Sequence, residues 1–266
     1  MAGWVEGLFL GEAAPLFLRV MESERSLERG ERLAEEIDSF LGEEGLSGGR
    51  VLEVGCGSGR VAVPLARRGY RVVGIDVFPL FVERARERAR SEGVDAEFLV
   101  VDARRMGEAL RGRAPFDAIL FAWTSVIGYF DEETDLSILR QARSLARPGS
   151  ILLVVDTANR DRAVLNSLLL RRITFLSEYG DLVVAESPEF DPETSRMRSR
   201  WTFYERRGRD LIFLGEAGYD VRVYSLHELI SLAGEAGWSF VGAYESLGDR
   251  KKFSPIGPIN AAFRAV

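Results

Sequence analysis

Val51-Leu52-Glu53-Val54-Gly55-Cys56-Gly57-Ser58-Gly59-Arg60 is the stretch on which the fold turns. A short apolar run of buried-strand type enters three glycines spaced two apart, and helix-forming sequence follows. Glycine tolerates positive φ in a tight turn and lets a ligand approach the backbone. The helix behind it offers free N–H groups and the positive end of its dipole. A nucleotide-like ligand at the carboxyl edge of the strand suits such a turn, although a ligand-free strand-to-helix connection could use the same residues. The dinucleotide fingerprint Gly-x-Gly-x-x-Gly needs glycine at position 60, where this chain has Arg60.

Working outward, strands are expected at 50–54, 71–75, 96–101, 116–121 and 150–155, with helices between them at about 60–68, 79–91, 104–110 and 131–146. Strands alternating with helices imply βαβ units and a parallel sheet. Runs such as AILFA and ILLVV suit strands covered on both faces. Upstream, Leu16, Val20, Leu27, Leu33, Ile37 and Leu41 recur at near-helical spacing, so 1–45 is expected to form a helical arm. After about Arg162 the rhythm changes. Strand-like runs over 172–224, broken at Gly180-Asp181, Pro188–Pro192 and Gly208, point to an antiparallel insertion spanning 163–224. The α/β pattern resumes at 225–266, so the main domain is expected to comprise 46–162 and 225–266. Pro64 is awkward inside the first helix, because it removes the bond to the Arg60 carbonyl.

Acids stand at the next two strand tips. Asp76 ends the second strand, where a carboxylate can accept both ribose hydroxyls of an adenosine, and Phe78 could lie against the adenine face. Asp102 ends the third. Either acid alone could instead cap the helix behind it. The order of glycine loop, Asp76 and Asp102, followed by Phe116-Asp117-Ala118-Ile119-Leu120-Phe121 and Leu145-Ala146-Arg147-Pro148-Gly149-Ser150, resembles the class I S-adenosylmethionine (SAM)-dependent methyltransferases. Ser150 replaces the second glycine of that family's turn. The resemblance is strong over 46–160 and weaker over 225–266. It extends to a subgroup with an S-x-G-Y-F segment after strand four, here Ser125-Val126-Ile127-Gly128-Tyr129-Phe130 with one residue more, and to the arm around Met21-Glu22-Ser23-Glu24-Arg25.

The resemblance implies a seven-stranded, mostly parallel Rossmann-like sheet of order 3-2-1-4-5-7-6 with helices on both faces. It also implies SAM as cofactor. At the first strand tip it points to Glu53, Gly55, Cys56, Gly57 and Gly59, with Glu53 supporting the loop. At the second it points to Asp76, Val77 and Phe78; at the third to Asp102, Ala103 and Arg104; at the fourth to Phe121. Asp102 would accept from the adenine amino group, and the arm would fold over the cofactor as a lid.

Composition bounds the acceptor. The 266 residues are 46% hydrophobic and 29% charged, with net charge −6, one cysteine and one histidine. An acidic chain argues against a broad nucleic-acid surface. The only cysteine, Cys56, sits in the glycine loop, so no thiol remains to attack a cytosine ring. After strand four stands Ala122-Trp123-Thr124-Ser125, not the [DN]-P-P-[FY] used on base amino groups, and no metal is expected. Trp123, Ser125, Tyr129 and Asp156 are the candidate acceptor residues. Methyl transfer from a sulfonium demands alignment, not a general base, and none is named. His227 reads as structural. The residues Arg196, Arg198, Arg200, Tyr204 and Arg206 share one strand face, opposite Met197, Trp201 and Phe203. That basic face could bind an anion or simply pair with acids such as Glu178, Glu186 and Glu189. The expectation is a cytoplasmic methyltransferase acting on a small molecule. The alternatives are a non-catalytic SAM-binding protein, an RNA or protein methyltransferase, and an NAD(P)-linked oxidoreductase. Lysine occurs only at Lys251 and Lys252 among 35 basic residues, a bias that suits a thermophile or a GC-rich genome.

Overall fold

The computed structural model describes residues 3–169 and 173–266. Residues 1–2 of the expected arm and 170–172 of the expected insertion lie outside them. Elements are numbered in chain order. Strands β1 (Gly49–Val54), β2 (Tyr70–Asp76), β3 (Ala96–Val100), β4 (Phe116–Ala122) and β5 (Ala146–Thr157) form a parallel sheet in the order β3-β2-β1-β4-β5. Strand β12 (Ile259–Ala265) runs antiparallel against β5, β10 (Trp238–Ser246) against β12, and β11 (Lys251–Lys252) against the outer side of β10. The order implied by the family resemblance is therefore present, with one extra strand at the rim. Two residues are too few to show a period-two pattern, so β11 left no signal in the sequence. Both its lysines are exposed, and Lys251 Nζ lies 2.8 Å from Glu245.

Alternate residues of each parallel strand feed two apolar layers. Val51 and Leu120 pack with Ile37, Leu41, Leu65 and Val82 on one side, whereas Leu52, Ile75 and Phe121 pack with Ile138, Leu139 and Trp238 on the other. Helices α3 (Glu24–Glu43), α4 (Ala62–Arg67) and α5 (Pro79–Glu92) supply the first layer; α6 (Met106–Ala109), α7 (Glu132–Leu145) and α9 (Leu226–Glu235) supply the second. With both faces covered, the strands read as continuous hydrophobic runs. Helix α9 opens on a capping box, Ser225 with Glu228. No described helix is long and apolar enough to cross a membrane.

Pro64 turns out to be harmless. Val63 N bonds the Gly59 carbonyl and Leu65 N the Val61 carbonyl, so Pro64, in the first turn of α4, costs only the one bond to the Arg60 carbonyl. The Arg60 carbonyl freed by this arrangement faces α3. A Cβ on Gly30 would overlap that carbonyl, so glycine is what lets α3 sit against the loop.

The arm is three helices. Helix α1 (Gly3–Phe9) precedes α2 (Ala14–Glu22), and Ser23 ends α2 and caps α3, its hydroxyl accepting from Ser26 N. A second sheet holds β6 (Phe175–Tyr179), β7 (Leu182–Asp191), β8 (Arg196–Arg207) and β9 (Asp210–Arg222), all antiparallel, in sequence order. Helix α8 (Arg160–Leu169) leads into it and buries none of its residues. Pro188 does not break β7, contrary to expectation. The described β6 pairing stops at Glu186, so on that side the missing Pro188 N–H breaks no bond of the described ladder.

Candidate functional site

The tips of β1, β2 and β3 are joined by hydrogen bonds. Gly57 N donates to Asp76 Oδ2 at 2.8 Å, Phe78 N to Asp76 Oδ1 at 3.1 Å, and Val101 N to the Asp76 carbonyl at 2.9 Å. Gly55 and Gly57 adopt φ of +76° and +53°. A Cβ on Gly55 would come within 2.8 Å of Ser125, so glycine is required where the β1 and β4 turns meet. The three tips open on one cleft of about 770 Å³, which also reaches the ends of β4 and β5.

Of the expected residues, Gly55, Cys56, Gly57, Asp76, Val77, Phe78, Asp102 and Ala103 line that cleft, as do Trp123, Ser125, Tyr129 and Asp156. Four do not. Glu53 lies buried behind the loop. Gly59 packs against Ala85 and Phe98, where it serves helix–sheet contact. Phe121 is core. Arg104 turns back to pair with Asp102 and lies over the Phe130 ring. Asp102 thus takes the capping role left open for it, accepting from Arg104 N at 2.9 Å and from its guanidinium. Phe78 meets a ring from the arm, Phe9, at 4.7 Å.

At the ends of β4 and β5 the backbone is strained. Trp123, Thr124, Val126 and Asp156 all have φ between +49° and +70° without being glycine, a cost that clusters at functional sites. Trp123 Nε1 donates to Asp156 Oδ2 at 2.9 Å, and Arg29 of α3 pairs with the same carboxylate. The Arg60 guanidinium lies 4.1 Å from the Trp123 ring centre. Across the cleft stands the inner face of the four-stranded sheet, with Met197, Trp201, Tyr219 and one acid, Glu186, which accepts from Tyr219 OH at 2.7 Å. The basic strand face points the other way. Arg196 and Arg198 pair with Asp220, and Arg206 with Glu178. Glu186 was expected among their partners; the period of two places it instead with Val184, on the inner side.

A profile of the methyltransferase domain matches residues 51–149. The chain carries a class I SAM-dependent methyltransferase domain. The domain is 36% identical over 117 residues to a ubiquinone biosynthesis O-methyltransferase of Methylocella silvestris, covering 43% of this chain and 42% of that protein. It is 30% identical over 120 residues to the tRNA 5-carboxymethoxyuridine methyltransferase of Escherichia coli, covering 45% and 44%. The matched stretch thus spans less than half the length of these curated relatives. An S-adenosylmethionine-dependent methyltransferase from Clostridium acetobutylicum shares the fold, with TM-score 0.74, 14% identity, and coverage of 88% of this chain and 91% of that one.

SAM is the cofactor of this family, and the residues of the methyltransferase domain fit it. A side chain at Gly57 would project toward Met21 Sδ, 3.3 Å from its Cβ, into the space between loop and arm. Asp76, buried at the second tip, keeps lone pairs beyond its two N–H partners. Burial pushes its carboxyl up to about 6. Sequence reasoning missed the arm's Phe9, the Arg29–Asp156 pair, and Glu186. Only Glu186 had a signal, the alternation along β7.

The buried acids set a pH dependence. Burial raises Glu53 to about 8, and Asp76 and Asp135 to about 6 each. Above pH 5 the native protein therefore holds more protons than the unfolded chain, and stability falls as pH rises toward 8. Carboxylates held low by arginines, such as Glu22 and Glu31, act only below that window. The melting temperature should drop from pH 5.5 to pH 8, and Glu53→Gln should narrow the drop, because glutamine cannot ionise. An equal drop in the variant would remove Glu53 as a cause.

Proposed function

We propose that the protein transfers the methyl group of SAM to a small-molecule acceptor. The observation that carries this reading is the bare Gly55–Gly57 backbone bonded to buried Asp76 within a cleft that continues to Trp123 and Asp156. The loop, Asp76 and the third tip would hold the cofactor, which supplies a methyl already activated on a sulfonium. Trp123, Ser125, Tyr129 and Asp156 would orient the acceptor from below, and Trp201, Tyr219 and Glu186 from above. Residues 1–45 would act as the lid, 46–162 with 225–266 as the cofactor domain, and 163–224 as the roof. Aromatic packing of Phe9 on Phe78 and of Phe17 on Trp201 draws arm, second tip and roof together, which would exclude water during transfer. A covered cleft favours a small acceptor, in keeping with the ubiquinone-pathway relative and not with the tRNA-directed one.

Calorimetry should show SAM and S-adenosylhomocysteine binding well below 1 mM. Labelled methyl from SAM should pass to a component of a small-molecule extract. Absence of binding by both ligands would sink the activity, and label passing only to RNA would replace the acceptor class.

A further inference from the structure

Arg60 is the residue after the glycine loop and has no function in the scheme above. It lines the cleft, partly buried, with its guanidinium over the Trp123 ring, and among the described residues that guanidinium has no ion-pair partner. The acids around it are otherwise committed. Asp156 is taken by Arg29 and by the Trp123 N–H. Glu22 is taken by Arg84 and Arg88. Glu53, the acid behind the loop, feels the Arg60 charge but makes no hydrogen bond or ion pair with it, and burial raises its carboxyl. An arginine withdrawn from water without a directly bonded anion is costly, and an incoming anion relieves that cost.

Strand order says which anion. Asp102 marks the tip of β3, Asp76 that of β2, the glycines that of β1, and Trp123 that of β4, and the strands lie side by side in that order. With the ribose at Asp76, adenine extends toward β3, so the amino-acid end of the cofactor extends toward β4. Arg60, stacked on Trp123, stands at that end. We infer that Arg60 is the receptor for the cofactor's α-carboxylate, its planar fork held by the Trp123 ring and matched to the two carboxylate oxygens. Arg29 stands over the same ring at 5.6 Å and adds positive potential. This inference rests on the methyltransferase reading.

The test compares S-adenosylhomocysteine, which carries the carboxylate, with 5′-methylthioadenosine, which lacks the amino-acid end. Calorimetry on the wild type should show tighter binding of the former. Arg60→Gln should weaken S-adenosylhomocysteine by about 10- to 100-fold, the usual cost of a lost charged hydrogen-bond pair. It should leave 5′-methylthioadenosine within about twofold, which also shows that the variant folds. Arg60→Lys, with charge but no fork, should fall between. Equal weakening of both ligands, or unchanged S-adenosylhomocysteine binding, would overturn the assignment, the second result handing Arg60 to the acceptor. A wild type that binds neither ligand would remove the methyltransferase reading itself, an outcome distinct from either.

Discussion

Asp76→Ala protein should bind S-adenosylhomocysteine and 5′-methylthioadenosine alike at least ~100-fold more weakly than wild type at pH 8, while keeping its circular dichroism. Two charge-assisted hydrogen bonds to ribose hydroxyls, at about 1.5 kcal/mol or more each, account for that loss. The carboxylate also holds Gly57 N and Phe78 N, so its removal loosens both turns that shape the cleft. The proposed ribose contact needs the charged form, and burial raises the Asp76 carboxyl to about 6. Wild-type affinity should accordingly fall as pH drops through about 6, and the alanine variant should lose that slope. Affinity within threefold of wild type would take Asp76 out of the cofactor site. The contrast with Arg60→Gln, which should spare the ligand lacking an amino-acid end, separates the two ends of the cleft.

Gly128→Ala should cost ~3 kcal/mol or more of stability. Gly128 has φ of +93°, and a Cβ there would overlap the Arg222 carbonyl oxygen. Backbone cannot swing aside as a side chain can. The same residue donates through its N–H to Asp135 Oδ2 at 2.8 Å and accepts from Arg222 N at 2.7 Å, and Asp135 in turn takes Tyr224 OH at 2.8 Å. Gly128 therefore ties the turn after β4 to the end of β9. Gly180→Ala is the control: its φ is +70°, but nothing lies within 4 Å of the added carbon. It should lose only the ~1 kcal/mol of a left-handed alanine. Equal losses in chemical denaturation would refute the close-approach explanation.

The parallel core was legible because its signals are local and repeat. Apolar runs end in turn or capping residues at successive βα junctions, as with Gly55–Gly59 after β1 and with Asp131, whose side chain accepts from Thr134 N at the start of α7. The relation of the three tips followed from the same order. What the sequence hid depends on distant partners. Arg60 was visible only as a misfit to the dinucleotide fingerprint, since its place over Trp123 without an ion-pair partner among the described residues exists only once α3 and β4 converge on it. Asp102 could face ligand or its own turn, and the choice falls to Arg104, two residues on. Helix α1 is too short for a helical period to stand out, and its purpose appears only where Phe9 meets Phe78 and Phe81. The positive φ values at Trp123, Thr124 and Val126 have no sequence signature, because bulky and β-branched residues disfavour that region.

The chain's two lysines make up the whole of β11, the last rung of the main sheet. An incoming strand from another molecule would find only two residues of backbone to zip onto, and two ammonium groups to bring out of water as it did so. Fibre-like growth is thereby discouraged from that rim, and the protein should tolerate high concentration without stacking sheet to sheet through it.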